Sequence, residues 1–291
     1  FNMKDGHRKK LKAGVMGWPV SHSLSPVLHS YWLSKYNIEG LYEAIPVHPD
    51  ALEKSLCDLH NKFYRGVNLT VPHKESALGF VDKIDNSAKR IGAINTVVVE
   101  GSGVLVGSNT DAIGFIENLR DVVPIEVGSG WFGRPAVVLG AGGAARAVCV
   151  ALMDCGIKEI RLVNRTLDRA TDLILEIEGM ADISNIYKWD NRSDALSHAG
   201  LLVNTTTLGM AGQLPLNIDL TELPIDATVH DIVYTPLETD LLFKARQRGN
   251  HVVDGLGMLL HQARPGFRSW FGTDPIVTSE LRQVVLASLS K

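Results

Sequence analysis

The sequence predicts an α/β protein of two domains, one built on an open, mainly parallel sheet and the other on a doubly wound sheet. Three observations carry that expectation. Strand-like and helix-like runs alternate along the chain, the pattern of parallel strands joined by crossover helices. An apolar strand at Ala136–Leu139 runs directly into a glycine-rich turn and a helix. The 291 residues exceed what one hydrophobic core usually serves and fit two domains of ordinary size.

In the first domain, Ala13–Met16 reads as a strand. Ser25 and Pro26 then mark a helix start, with a hydroxyl at the N-cap and proline at the first helical position. Val27, Leu28, Tyr31 and Trp32 fall on one face of that helix, which runs to Tyr36. A strand over Leu41–Val47 and a helix around Ala51–His60 follow. Gly66–Val71 is the next strand, with Val67, Leu69 and Val71 on one side and Asn68 and Thr70 on the other. Pro72 ends it. Lys74 is then expected in the first turn of a helix, where the macrodipole disfavours a cation and a lysine is unusual without a purpose. Thr96–Val99 and Val104–Val106 form a hairpin across Gly101-Ser102-Gly103, and Asn109-Thr110-Asp111 opens another helix.

Asp121–Gly133, with Pro124 and three glycines, reads as a linker. The second domain follows, with strands at Ala136–Leu139, Ile160–Val163, Leu201–Val203, Val229–Ile232 and Val252–Val253 and helices between them. Two last helices, Met258–Trp270 and Thr278–Ser288, have no strands of their own and are expected to return to the first domain. The division is therefore 1–110 plus 256–291 for one domain and 111–255 for the other. No internal repeat interrupts it.

Charge and cysteine usage narrow the function classes. Twenty-nine Lys and Arg against 32 Asp and Glu leave a net charge of -3, which offers no footprint for nucleic acid or an anionic membrane. A small-molecule partner is the expectation. The apolar stretch Ala136–Met153 approaches the length of a membrane span but contains Gly140, Gly142, Gly143 and Arg146, so strand, turn and helix describe it better. Cys57, Cys149 and Cys155 are odd in number without a C-x-x-C pair, which points away from a disulfide framework or zinc site and toward a reducing, cytoplasmic setting. His22, His73 and His261 lack metal-ligand spacing, and no metal is expected. Phe1–Lys10 reads as a loose polar terminus.

Gly140-Ala141-Gly142-Gly143-Ala144-Ala145 matches the G-x-G-x-x-G/A turn, in the strand-to-helix context that gives the motif its weight. Its glycines let backbone N–H groups approach a pyrophosphate at a helix N-terminus, so the second domain is read as a Rossmann-type dinucleotide-binding domain. At the end of the next strand, Asn164-Arg165-Thr166 stands where an NAD-preferring fold places an acidic residue for the ribose. Arg165 and Arg169, read as one helical turn apart, suit a 2'-phosphate through forked hydrogen bonds. The cofactor is therefore expected to be NADP.

Further stretches occur in order along the chain: Gly17-Trp18-Pro19-Val20-Ser21-His22-Ser23-Leu24-Ser25-Pro26, Asn68-Leu69-Thr70-Val71-Pro72-His73-Lys74-Glu75, Gly92-Ala93-Ile94-Asn95-Thr96 and Asn109-Thr110-Asp111. After the glycine turn and Asn164-Arg165-Thr166 come Tyr234-Thr235-Pro236 and Asp254-Gly255-Leu256-Gly257-Met258-Leu259-Leu260-His261-Gln262-Ala263. As a set, covering nearly the whole chain, these resemble the shikimate dehydrogenase family. The resemblance implies NADPH-dependent reduction of 3-dehydroshikimate to shikimate, a step toward chorismate and the aromatic amino acids. Lys74 then corresponds to the catalytic lysine, donating a proton to the ketone oxygen as hydride arrives, and Asp111 to the carboxylate that orients it and binds a substrate hydroxyl. Ser23 and Ser25 correspond to hydroxyls that bind the substrate carboxylate, with Tyr234 nearby. Asn68, Thr70, Asn95 and Gln262 supply donors and acceptors for a polyhydroxylated ring. Met210 and Gly255 match positions beside the nicotinamide, although Thr205-Thr206-Thr207-Leu208-Gly209-Met210 departs in detail from the family's usual turn.

Taken singly, these residues have plainer readings: Ser25, Thr110 and Asp111 as helix caps, Asn68 and Asn95 as turn or strand-edge residues, Gln262 and Lys74 as solvated surface groups. Their ordered co-occurrence outweighs that. The alternatives are a quinate/shikimate dehydrogenase that often prefers NAD, and a non-catalytic sensor, which would have no need of Lys74 or Asp111. Either a monomer or a homodimer is compatible with the sequence.

Overall fold

The computed structural model describes residues 10–123, 131 and 133–289. These fold into two compact units, one from the residues up to Ile84, Ile94–Gly107 and those from Arg264 onward, the other from Asp85–Ala93 and Ser108–Ala263. Most of the expected linker and the expected loose terminus lie outside the described residues, while Asp121 and Val122 complete a helix.

In the first unit, strands β1 (Leu11–Gly17), β2 (Gly40–Pro46), β3 (Tyr64–Leu69), β4 (Lys83–Ile84), β5 (Thr96–Glu100) and β6 (Val104–Ser108) form one sheet in the order β2-β1-β3-β5-β6-β4. β1 runs parallel to β2 and β3, β4 parallel to β6, and β3 antiparallel to β5. Helices α1 (Ser25–Lys35) and α2 (Leu52–Cys57) make the crossovers that parallel pairing requires. β3 ends two residues earlier than its alternation suggests, because the chain turns after Leu69, and Val71 is 62% exposed. Sheet partners on both sides keep Gly66–Leu69 buried.

The second unit contains α3 (Asn86–Ile91), α4 (Asp111–Val122), β7 (Ala136–Leu139), α5 (Gly143–Asp154), β8 (Ile160–Asn164), α6 (Leu167–Glu176), β9 (Ser184–Lys188), β10 (Leu201–Asn204), β11 (Thr228–Asp231), α7 (Asp240–Arg248) and β12 (His251–Val253). Its six parallel strands are ordered β12-β11-β10-β7-β8-β9, the doubly wound arrangement, with the reversal between β7 and β10. β9 is absent from the sequence reading. Its residues Ser184-Asn185-Ile186-Tyr187-Lys188 lie at the sheet edge, none of them buried, so no inward-outward alternation marks them. The central strand shows that alternation clearly: Ala136 and Val138 pack with Phe115, Leu119 and Ala147 on one face, Val137 and Leu139 with Leu202, Leu241 and Leu242 on the other.

Two helices close the chain, α8 (Leu256–Phe271) and α9 (Ser279–Leu289). Unlike the division drawn from the sequence, residues 256–263 at the start of α8, together with 85–93 and 108–110, lie in the second unit, and only from Arg264 onward do the helices lie in the first. Trp270 is buried there with its indole N–H donating to the Val97 carbonyl at 3.0 Å. Gly66, at φ +154, makes room for it: a Cβ at that position would meet Val97 O at 2.0 Å and Trp270 Nε1 at 2.2 Å.

Candidate active site

Six of the predicted residues, Ser23, Ser25, Asn68, Thr70, Lys74 and Asn95, lie in the first unit. Ser25 is not the N-cap of α1. Leu24 holds that place with φ -83 and ψ -8, already in the helical region, and no side chain caps it. The Ser25 N–H donates to Ser23 Oγ at 3.3 Å, while its hydroxyl donates to Tyr42, a buried residue of β2.

Both Asn68 and Asn95 are buried, Asn68 within β3 between two neighbouring strands and Asn95 in the bend that leads into β5. Asn68 Nδ2 donates to the Asn95 carbonyl at 3.1 Å and to Thr96 Oγ1 at 3.2 Å, and its Oδ1 accepts from the Tyr42 hydroxyl at 2.7 Å. Thr96 Oγ1 in turn donates to Asn95 Oδ1 at 2.9 Å. Amides so deep in a sheet are tolerated only when paired. Thr70 is anchored through its N–H, which donates to the Met16 carbonyl at 3.0 Å, and its methyl lies over Gly17, where a Cβ would sit 2.4 Å from Thr70 Cγ2.

Lys74 is half-buried, but it stands in a turn and not in a helix. Only a single 3-10 turn, Ser76–Gly79, follows it, too short to build a dipole, so the macrodipole argument for this lysine does not hold. The turn is fixed by backbone bonds: His73 N–H to the Thr70 carbonyl at 2.9 Å and Ile94 N–H to the Lys74 carbonyl at 2.7 Å.

In the second unit, Asp111 opens α4, its N–H donating to Asn109 Oδ1 at 2.9 Å. Thr110 occupies the N-cap position without a capping bond and instead donates its hydroxyl to the Gln262 carbonyl at 2.8 Å. Both Asp111 and Gln262 are buried, so neither is a solvated helix residue. Gly114, one turn on, lets α4 and the start of α8 approach closely, since a Cβ there would lie 2.6 Å from Gln262 Cβ and 2.7 Å from the Met258 carbonyl.

The glycine turn sits at the point where the strand order reverses. Gly140, at φ +108, donates its N–H to the Val163 carbonyl at 2.8 Å, and a Cβ on it would meet Thr205 Oγ1 at 2.7 Å. Gly142 is the N-cap of α5, and a Cβ there would meet nothing within 4 Å. Ala141, Gly143 and Ala144 complete the turn. The first N–H groups of α5 have no helical acceptor and carry the positive end of the dipole. An open, donor-rich helix start of this kind fits a pyrophosphate.

Asn164 ends β8 and closes a turn by donating Nδ2 to the Thr166 carbonyl at 2.8 Å. Arg165 lies within that turn and Arg169 in the first turn of α6, both exposed. The pair therefore does not share one helix, because Thr166 is the extended N-cap from which α6 starts. No acidic side chain follows β8 before the helix.

Met210 and Tyr234 lie on two loops tied together by buried polar groups, and Gly255 in the connection between β12 and α8. Asn204, at the end of β10, accepts at Oδ1 from Thr206 N–H at 3.1 Å and from the Thr206 hydroxyl at 2.7 Å, and donates through Nδ2 to the Leu208 carbonyl at 3.1 Å and Asp231 Oδ1 at 2.9 Å. Asp231 also accepts from Val233 N–H at 3.0 Å and the Thr239 hydroxyl at 2.7 Å. Burial outweighs these bonds and pushes its carboxyl up to about 6. Ala211 N–H donates to the Thr235 carbonyl at 2.7 Å, bringing the Met210 and Tyr234 loops side by side. Burial also raises the Tyr234 phenol above its ordinary range. Gly255 is packed so closely that a Cβ would lie 2.2 Å from the Ile232 carbonyl oxygen.

A family model described as the shikimate dehydrogenase substrate binding domain matches residues 15–97, and one described as shikimate / quinate 5-dehydrogenase matches residues 127–207. Over 276 residues the chain is 52% identical to shikimate dehydrogenase (NADP(+)) of Paramagnetospirillum magneticum, covering 94% of this chain and 98% of that relative. The chain belongs to the shikimate dehydrogenase family. Among solved structures it is similar to shikimate 5-dehydrogenase of Thermus thermophilus in complex with NADP(H) and shikimate, at 37% identity, TM-score 0.83, and 96% and 99% coverage of the two chains. It is also similar to quinate dehydrogenase of Corynebacterium glutamicum in complex with NAD, at 28% identity, TM-score 0.86, and 96% and 99% coverage. The two-unit α/β fold of the shikimate dehydrogenase family is thus the fold of this chain.

Sequence reasoning passed over Tyr42, Thr96, Asn204, Asp231 and Thr239. Tyr42 and Thr96 are ordinary strand formers, and no spacing sets them apart. Asp231 did carry a signal, a carboxylate beside His230 inside the strand expected over Val229–Ile232.

Proposed function

We propose that this chain is an NADP-dependent shikimate dehydrogenase, an oxidoreductase that reduces 3-dehydroshikimate to shikimate in the synthesis of chorismate and the aromatic amino acids. The observation that carries the reading is identity of about half the residues over nearly the full length of a relative so named. In this reading the second unit is the cofactor domain and the first the substrate domain. Bound NADPH supplies the hydride. Gly140, Ala141, Gly142, Gly143 and Ala144 hold the pyrophosphate, and Asn164, Arg165, Thr166 and Arg169 hold the phosphorylated ribose, charge-assisted bonds from the two guanidiniums favouring NADP over NAD. Met210 and Gly255 flank the nicotinamide.

Reduction of the ketone leaves charge on its oxygen, which Lys74 neutralises by donating a proton from Nζ; in reverse it takes the hydroxyl proton back. Asp111 accepts from a ring hydroxyl. Ser23 and Ser25, with Tyr234, bind the substrate carboxylate, and Asn68, Thr70, Asn95 and Gln262 satisfy the remaining hydroxyls as the ring leaves water. No helix among the described residues is long and apolar enough to cross a membrane. With three free cysteines, we assign the enzyme to the cytoplasm, as a monomer or homodimer.

The test follows NADP+ reduction by absorbance with shikimate as substrate, and with Lys74→Ala as the control. Because the lysine acts on charge that develops during the reaction, the variant should lose kcat by about 100-fold or more while KM changes by less than about threefold. An unchanged kcat would remove Lys74 from the mechanism. Faster oxidation of quinate with NAD than of shikimate with NADP would overturn the substrate and cofactor assignment.

A further inference from the structure

Five buried or nearly buried groups of the first unit form a chain of hydrogen bonds whose direction is forced by a single backbone carbonyl. The Asn95 carbonyl can only accept, so the group 3.1 Å from it on Asn68 is the amide nitrogen. That fixes the amide orientation. Asn68 Oδ1 must then face Tyr42, whose hydroxyl lies 2.7 Å away and has to donate. With its proton committed, the Tyr42 oxygen only accepts from Ser25, so the Ser25 hydroxyl is the donor. At the other end, the second Asn68 amide hydrogen goes to Thr96 Oγ1 at 3.2 Å, leaving Thr96 to donate to Asn95 Oδ1 at 2.9 Å. Donation therefore runs one way, from Ser25 through Tyr42, Asn68 and Thr96 to Asn95, and turns the Asn95 amide nitrogen away from Thr96.

We propose that Tyr42 is a positioning residue for substrate recognition: by donating to Asn68 Oδ1 its hydroxyl holds in place the amide whose orientation the Asn95 carbonyl assigns, so that Asn68 presents one defined polarity to the substrate ring. This rests on the dehydrogenase reading above. Asn68 spends both amide hydrogens inside the protein and offers a ligand its remaining Oδ1 lone pair. Ser25, at the head of the chain, is the one member whose proton can swing to an incoming carboxylate without disturbing the others, because Tyr42 still donates to Asn68. The Tyr42 ring is held independently of its hydroxyl. It stacks on His29 at 3.8 Å between centroids, with the rings 7° from parallel, in a cluster that includes Trp270. Both His29 nitrogens are buried without a partner, so the packing around the tyrosine is apolar and the hydroxyl carries its only polar function.

Tyr42→Phe keeps the stacked ring and deletes the link. In the full-length enzyme we expect KM for shikimate to rise about tenfold, with KM for NADP+ unchanged and kcat within about threefold. Thr96→Val breaks the same chain further along without touching the aromatic cluster and should give the same split. In a Ser25→Ala background, Tyr42→Phe should cost less than half its effect in the wild type, since the two act through one chain. Wild-type protein that does not oxidise shikimate would defeat the dehydrogenase reading itself. With an active wild type, an unchanged KM for shikimate in both variants, or equal losses in both KM values and kcat, would overturn the positioning role.

Discussion

Replacing Asp231 by Asn should make the stability difference between variant and wild type depend on pH in one direction. Burial holds this carboxyl at about 6 against an ordinary 3.8, even though Thr239, Val233 and Asn204 all donate to it. At roughly 1.4 kcal/mol per tenfold change in proton affinity, the difference corresponds to about 3 kcal/mol. The sign follows from linkage. Below 3.8 the group is protonated both folded and unfolded and its contribution to stability is complete; as pH rises toward 6 the unfolded chain releases its proton first, and folding loses up to that amount. Asparagine does not titrate, so the variant escapes this loss. Urea unfolding at pH 4, 5, 6 and 7, followed by tryptophan fluorescence, should show the variant gaining on the wild type by about 2 kcal/mol across the series, part of the full loss having already occurred at pH 4. His230, beside it in the sequence and held by burial at about 3, is present in both proteins and cancels in the difference. A flat difference, or a wild type that gains on the variant as pH rises, would show that the three hydrogen bonds outweigh burial.

Two further perturbations probe other parts of the second unit. Gly255→Ala places a Cβ 2.2 Å from the Ile232 carbonyl oxygen and 2.8 Å from that of Val233, backbone atoms that no rotamer change can move, so stability should fall by on the order of 3 kcal/mol; an unchanged melting temperature would refute the close-packing argument. Arg165→Ala and Arg169→Ala should each raise KM for NADP+ by about tenfold or more while leaving the weaker use of NAD unchanged, and equal changes with both cofactors would refute recognition of the 2'-phosphate.

The elements most legible in the sequence were those whose local chemistry and tertiary role agree. Gly140–Ala144 is one: the apolar strand, the positive φ at Gly140 and the helix start all express the same requirement. Helices without strands of their own marked the end of the chain for a different reason, but not where it divides: residues 256–263 of α8 lie in the second unit and only those from Arg264 onward in the first. What escaped depended on neighbours distant in sequence. β9 belongs to the sheet only because it pairs with β8, and its own residues are polar enough to read as loop. Ser25 before a proline has every local mark of a cap, yet Tyr42, 17 positions on, takes its hydroxyl instead. Asn68 looks like a strand-edge residue until β5 is known to cover it from the other side. Lys74 was singled out by an argument about a helix that does not form, and the family motif, not the dipole, is what still directs attention to it.

The seat that Gly66 provides for Trp270 has a consequence for how the polypeptide matures on the ribosome. A sheet whose β3 and β5 are synthesised early waits for an indole encoded some 200 positions later to fill its surface, so that half must remain open while the intervening nucleotide-binding half is completed and can fold. Nascent chains stalled before that tryptophan should therefore be the ones that engage chaperones, and loss of the final helices should leave an aromatic-lined, aggregation-prone face in place of a merely shortened enzyme.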